Sequence, residues 1–115
     1  MTAETGWVYL LCLDGVTMVV DERLGFWVKF VVREVPSSEA IPHGVNYSLT
    51  MHDRRGYRML GFDNAHRVGK QGPFDHWHRT QVDLGRQYAF ESPEMLLADF
   101  WREVDRVLKE LNNDD

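Results

Sequence analysis

With one cysteine in 115 residues, Cys12, the chain cannot close a disulfide on itself, which removes the disulfide-scaffold class of small secreted proteins. The same scarcity removes a cysteine-rich zinc site. Cys12 lies inside the apolar run Trp7–Leu13, where a buried, inert thiol is the expectation. No stretch approaches the roughly 20 apolar residues that a membrane-spanning helix needs. The opening Met1-Thr2-Ala3-Glu4-Thr5 has neither the basic region nor the apolar core of a secretory signal, so no signal peptide is expected and a cytoplasmic location is the default. Positive charge is also short: 13 Lys and Arg stand against 18 Asp and Glu, a net −5 with neutral histidines. A general electrostatic grip on nucleic acid is therefore not advertised. Two small basic groups remain, Arg54 and Arg55 with Arg58, and Arg67 and Lys70 with Arg79. A phosphate loop is missing too, because Gly69-Lys70-Gln71-Gly72 lacks both the spacing and the following helix.

What is present reads as an ordinary globular chain. Hydrophobic residues make up 43% and charged residues 27%, which excludes disorder and fibrous repeats. The length is that of one domain over 1–115, and no repeat or composition break divides it. Four Trp, four Tyr and six Phe point to an aromatic core.

Short apolar runs come first and a helical pattern last. Trp7–Leu13 and Val16–Val20 flank Asp14-Gly15, a local hairpin signal. In Phe26–Val35 the residues Val28, Phe30 and Val32 alternate with Lys29, Val31 and Arg33, the period of a strand. Pro36–Gly44 is loop-like. Asn46–His52 alternates cleanly, Asp53–Gly56 is a turn, and Tyr57–Asn64 is the returning strand of a hairpin. After a loop at Ala65–Pro73, a strand is expected at Phe74–Gln81 and a short extended piece at Gln87–Phe90. Ser92 as N-cap, Pro93 at the first helical position and Glu94 beside it open the last element. There Leu97, Phe100, Trp101, Val104, Val107, Leu108 and Leu111 recur at helical spacing. The fold class that follows is α+β: an antiparallel sheet of about five or six strands with one face covered by a C-terminal amphipathic helix.

Three of the five histidines, His66, His76 and His78, fall within Asp63–Arg79. On a strand, the two-residue spacing of His76 and His78 puts both on one face. Asp63 and Asn64 end the preceding strand, so strand pairing could gather these groups. Three readings fit. Two imidazoles near neutral pKa can take and give a proton without a metal, while Arg79 or Lys70 holds a phosphate-like charge, which is the logic of RNA cleavage through the 2′-hydroxyl. His66, His76, His78 and Asp63 could instead ligate a metal with an open position. Or the histidines are polar residues on a solvated sheet face. His43 and His52 read as bystanders and Arg54-Arg55 as a solvated turn.

Several short segments resemble the TumE-type toxins of prokaryotic toxin–antitoxin pairs. They are Tyr47-Ser48-Leu49, Phe62-Asp63-Asn64 and Asp75-His76-Trp77-His78-Arg79, then Tyr88-Ala89-Phe90-Glu91-Ser92 and a helix containing Leu97-Ala98-Asp99-Phe100-Trp101. The resemblance spans roughly Asn46 to Val107. It implies a cytoplasmic toxin, encoded beside a helix-turn-helix antitoxin that binds and silences it, with RNA or the translation apparatus as target. Its matching polar positions are Asp63, Asn64, His76, His78 and Arg79. The Ala65–Pro73 loop is longer than the family leads one to expect, so His66 is not carried over.

The reading taken forward is a ribonuclease-like toxin that needs no cofactor. His76 and His78 form its acid–base pair and Asp63 orients one imidazole. Asn64 and His66 lie beside them, and Lys70 and Arg79 hold phosphate. Its rivals are a non-catalytic protein-binding or inhibitor module, and a metal-dependent hydrolase.

Overall fold

A computed structural model describes residues 2–38, 44–64, 76–78, 86–87 and 90–112. The order is α1 (Thr2–Leu11), β1 (Thr17–Asp21), β2 (Phe26–Glu34), β3 (Val45–His52), β4 (Arg58–Asp63), β5 (His76–His78), β6 (Arg86–Gln87) and α2 (Pro93–Asn112). Every strand pairs antiparallel with the next, in sequence order across the sheet. Four strands carry the sheet, not the five or six expected. Past β4 the backbone pairing among the described residues runs through the ladders of β5 and β6, three and two residues long. No helix among the described residues is long and apolar enough to cross a membrane.

The expected N-terminal hairpin is replaced by a helix. A strand through Trp7–Leu13 would bury alternate residues. Instead Leu10 is fully buried, Trp7 and Leu11 pack partly against the core, and Val8 and Tyr9 are exposed, the i, i+3, i+4 pattern of a helix. An apolar run of this length does not distinguish the two by itself. Asp14-Gly15 therefore joins helix to strand: Gly15 takes φ 80°, its N–H donates to the Phe30 carbonyl at 2.8 Å, and Asp14 accepts from the Val32 N–H at 2.9 Å. Cys12 follows the helix and is exposed, contrary to the burial expected of it. Its N–H bonds the Val8 carbonyl one turn back, at 3.1 Å. The position is set by the last turn of α1, whose Val8 side faces outward.

The β2–β3 and β3–β4 ladders follow the expected alternation. Val28, Phe30 and Val32 of β2, Tyr47, Leu49 and Met51 of β3, and Leu60 and Phe62 of β4 are all buried on one face. Against that face lies α2, through Leu96, Phe100, Val104 and Val107. Leu96 in its first turn is fully buried, and Leu97, expected on the apolar stripe, packs partly buried against the core beside it. Phe100 sits edge-on to Phe30 and Phe62, with centroids 5.7 and 6.1 Å away. Trp7 stacks on Phe90 at 5.4 Å, tying α1 to the approach of α2.

The start of α2 is capped as its sequence indicates. Ser92 Oγ accepts from the Met95 N–H at 3.1 Å, and the Ser92 carbonyl accepts from the Leu96 N–H. Ser92→Ala is expected to cost about 1 kcal/mol, read as a lower urea midpoint at unchanged m-value.

Candidate functional site

The second face of the sheet, here the outer face, carries polar and aromatic side chains, and no element among the described residues covers it. Alternation assigns it Trp27, Lys29, Val31 and Arg33 from β2, and Asn46, Ser48, Thr50 and His52 from β3. Antiparallel pairing lines these up in rows. One row runs Val31, Ser48, Asp63, His76, Gln87; the next runs Lys29, Thr50, Gly61, His78; a third runs Trp27, His52, Arg58.

Arg58 reaches this face through an irregularity. Met51 pairs with Leu60 and His52 with Arg58, so Met59 is the extra residue and packs against the core. Such a bulge shifts the residue before it onto the opposite face. The Arg58 side chain then lies over Gly61. A Cβ at Gly61 would stand 3.2 Å from Arg58 Cδ and 3.6 Å from Thr50 Cγ2, so glycine there leaves space for the arginine to cross the strand.

The predicted residues fall as follows. Asp63 ends β4, half-buried, directly opposite His76 in the register. His78 pairs with Gly61. The two histidines thus take the register positions opposite Asp63 and Gly61; β5 and β6 are described by their backbone pairing. Asn64 is buried, 1% exposed, and its amide is spent on the chain itself. Oδ1 accepts from the Tyr47 N–H at 2.9 Å, and Nδ2 donates to the Val45 carbonyl at 2.7 Å. It continues the β4 ladder with a side chain and fixes where Asp63 ends the strand. His66, Lys70 and Arg79 lie outside the described residues, and with them the phosphate-binding pair and the metal set that includes His66. Among the described residues no three His, Cys, Asp or Glu side chains form a metal-holding group.

The structure singles out a histidine that the sequence reading passed over. His52 stacks on Trp27, with centroids 4.3 Å apart and planes 17° from parallel. Its Nδ1 is 3.1 Å from the Gly56 carbonyl and its Nε2 is 2.8 Å from Thr50 Oγ1. A carbonyl only accepts, so Nδ1 carries the proton, and in the neutral ring Nε2 accepts from the threonine hydroxyl. The turn that follows builds this arrangement. Asp53 Oδ1 accepts from the N–H groups of Arg55 and Tyr57, and the Asp53 carbonyl accepts from both the Gly56 N–H and the Trp27 indole N–H. Gly56, at φ 92°, completes it. One hairpin turn therefore holds both rings. The legible signal was the i, i+2 spacing of Thr50 and His52 just before Asp-x-x-Gly. What could not be read was that Trp27, 25 residues earlier, lies across from it. Arg54 is exposed, as expected of this turn, and leans back over the β1–β2 turn to donate to the Arg23 carbonyl at 3.0 Å.

Charge is distributed unevenly. On α2, Arg102 pairs with Asp99, and Arg106 with both Glu103 and Glu110 at 2.7 Å. Desolvation pulls Arg106 down, yet its hydrogen bonds and charge contacts to Glu103 and Glu110 outweigh this and hold its pKa above the ordinary arginine value. On the outer face, Lys29, Arg33 and Arg58 accompany the single carboxylate Asp63 among the described residues. An acidic chain thus keeps a cationic sheet face.

Residues 15–108 match the family model described as Toxin TumE. No curated protein and no solved structure matches the chain.

Proposed function

The chain belongs to the TumE toxin family, and from that premise we propose that it arrests growth by cutting RNA on the outer face of its sheet. Family membership supports the toxin role and suggests an antitoxin partner. The ribonuclease chemistry and the helix-turn-helix class of that antitoxin are our own reading. The observation that carries the chemistry is the register: His76 stands across from Asp63, and His78 stands one row over, beside Gly61 and Thr50. In the proposed reaction one imidazole takes the proton of a ribose 2′-hydroxyl. That oxygen bonds to the adjacent phosphorus, and the P–O bond to the next nucleotide's 5′-oxygen breaks. The other, protonated, imidazole gives its proton to that leaving oxygen. The products are a 2′,3′-cyclic phosphate and a free 5′-hydroxyl, with charge and protons balanced. Asp63 orients the imidazole across from it, and Asn64 sets the strand end from which it does so. Arg79 and Lys70 hold the phosphate through the transition state.

The test is growth after tightly controlled expression, with soluble yields matched. Wild type is expected to arrest the cells, and His76→Ala/His78→Ala to let them grow. Arrest by both would replace catalysis with occlusion of a partner. Growth of both would remove the toxin activity itself.

A further inference from the structure

The catalytic reading uses one side of the outer face and leaves the other, where Trp27, His52 and Arg58 share a row beside Lys29 and Thr50, without a task. We propose that this end of the face is a nucleotide-binding subsite for single-stranded RNA. Lys29 and Arg58 contact the phosphate there, and the Trp27–His52 pair contacts the base. The proposal rests on the reading of RNA as target and adds where the strand is gripped.

Four observations carry it. First, the aromatic pair is built before any ligand arrives. The indole N–H is held by the Asp53 carbonyl, the imidazole by the Gly56 carbonyl and the Thr50 hydroxyl, and both rings are half-buried. A platform already fixed in place loses little freedom when a base stacks on it. Second, the cations stand beside it. Lys29 is exposed in the adjacent row, and Arg58 is laid across Gly61 toward Thr50. Aromatic rings interleaved with cations on an open sheet are the composition that binds single strands, where stacking tolerates any base and the cations follow the backbone. Third, the charge is complementary to a polyanion: among the described residues the strand positions of this face carry three cations, Lys29, Arg33 and Arg58, and one carboxylate, Asp63. Fourth, the subsite is continuous with the proposed cleavage site. Thr50 and Gly61 lie in the row that ends at His78, about 10 Å of sheet from Lys29 to Gly61 at the usual strand spacing. A strand crossing these rows would reach both ends of the face.

The experiment measures binding apart from cleavage. A short fluorescein-labelled single-stranded oligoribonucleotide is titrated into the His76→Ala/His78→Ala protein at several salt concentrations, and anisotropy gives Kd. Adding Lys29→Ala/Arg58→Ala is expected to weaken binding by tenfold or more. It should also reduce the slope of log K against log salt by about 1.4, the value for two lost phosphate contacts on a single strand. Adding Trp27→Ala is expected to weaken binding by about tenfold with that slope unchanged. Melting curves establish that each variant is folded, and Trp27→Phe, which keeps a ring, should retain most of the affinity. Affinity unchanged in both the Lys29/Arg58 and Trp27 variants overturns the subsite, and so does failure of the starting protein to bind the oligonucleotide. If the same variants relieve growth arrest without affecting oligonucleotide binding, the face serves a protein partner and the proposal is wrong. The catalytic reading fails separately: binding that depends on Trp27, Lys29 and Arg58, by a protein that never cuts RNA, keeps this subsite and removes the nuclease.

Discussion

Asn64→Asp is expected to destabilise the fold by about 3–5 kcal/mol at neutral pH, the scale of an uncompensated buried charge. Most of that loss should return as the solution is acidified. Asn64 is the buried polar residue among those described, and its amide faces one donor and one acceptor. A carboxylate can still accept from the Tyr47 N–H. It cannot donate to the Val45 carbonyl, and it would confront that oxygen with a negative charge out of water. Burial and the facing carbonyl both raise the folded-state pKa of the introduced group above its unfolded value. The folded state then binds the extra proton more tightly, so stability rises as pH falls through the folded pKa toward the unfolded one, below which the penalty is gone. The protonated acid also regains an O–H with which to reach Val45. Asn64→Ala has no such titration. It leaves two buried backbone groups without partners, a loss of about 2–4 kcal/mol at any pH where the protein is folded. Urea midpoints of the two variants across pH 4–8 would separate them. Parallel curves would mean that the Asn64 amide does not bridge Val45 and Tyr47.

The importance of Asn64 shows where the sequence was legible. Its position at the end of a strand could be read, and so could the hairpin before it, because alternation in Asn46–His52 and Tyr57–Asn64 is a local signal. The capped start of α2 was equally local: Ser92, Pro93 and Glu94 act within one turn. Asn64's partners at Val45 and Tyr47 are 19 and 17 residues away, and no local pattern announces them. The N-terminal run misled for a different reason. Trp7–Leu13 is apolar nearly all round, and Asp14-Gly15 suits either a hairpin or the exit from a helix, so local chemistry could not decide. Packing decided, by burying Leu10 with Trp7 and Leu11 beside it. His52 was undervalued because its significance is non-local. Only the β2–β3 register brings Trp27 under it, and only the bulge at Met59 turns Arg58 toward the same face. The cationic character of that face was hidden by a net charge of −5, which sums over the helix and says nothing about distribution.

The largest functional effect is expected at His76 and His78, measured on RNA cleavage in vitro rather than on growth. Replacing either by Ala should lower the single-turnover rate on an oligoribonucleotide by about 10²–10⁴-fold, the worth of a positioned acid or base. Because the two would act on one proton inventory, the double variant should be little worse than the worse single one. The wild-type rate should be bell-shaped in pH, falling on the acid side as the base is protonated and on the alkaline side as the acid loses its proton. Each single variant should lose one limb of the bell, which would also assign the base and the acid. Asp63→Asn should leave the bell in place and lower its height, since that residue is proposed to orient an imidazole rather than to exchange the proton. Kd for the oligonucleotide should stay within about threefold across these variants, because uniform binding is lost at the subsite and transition-state binding at the histidines. If His76→Ala and His78→Ala multiply instead, each lowering the rate by its own factor independent of the other, the histidines contact the substrate separately. A shared acid–base step would then be wrong. A rate abolished by chelator and restored by zinc or manganese would move the same residues into the metal-dependent mechanism, with Asp63 as ligand instead of orienter.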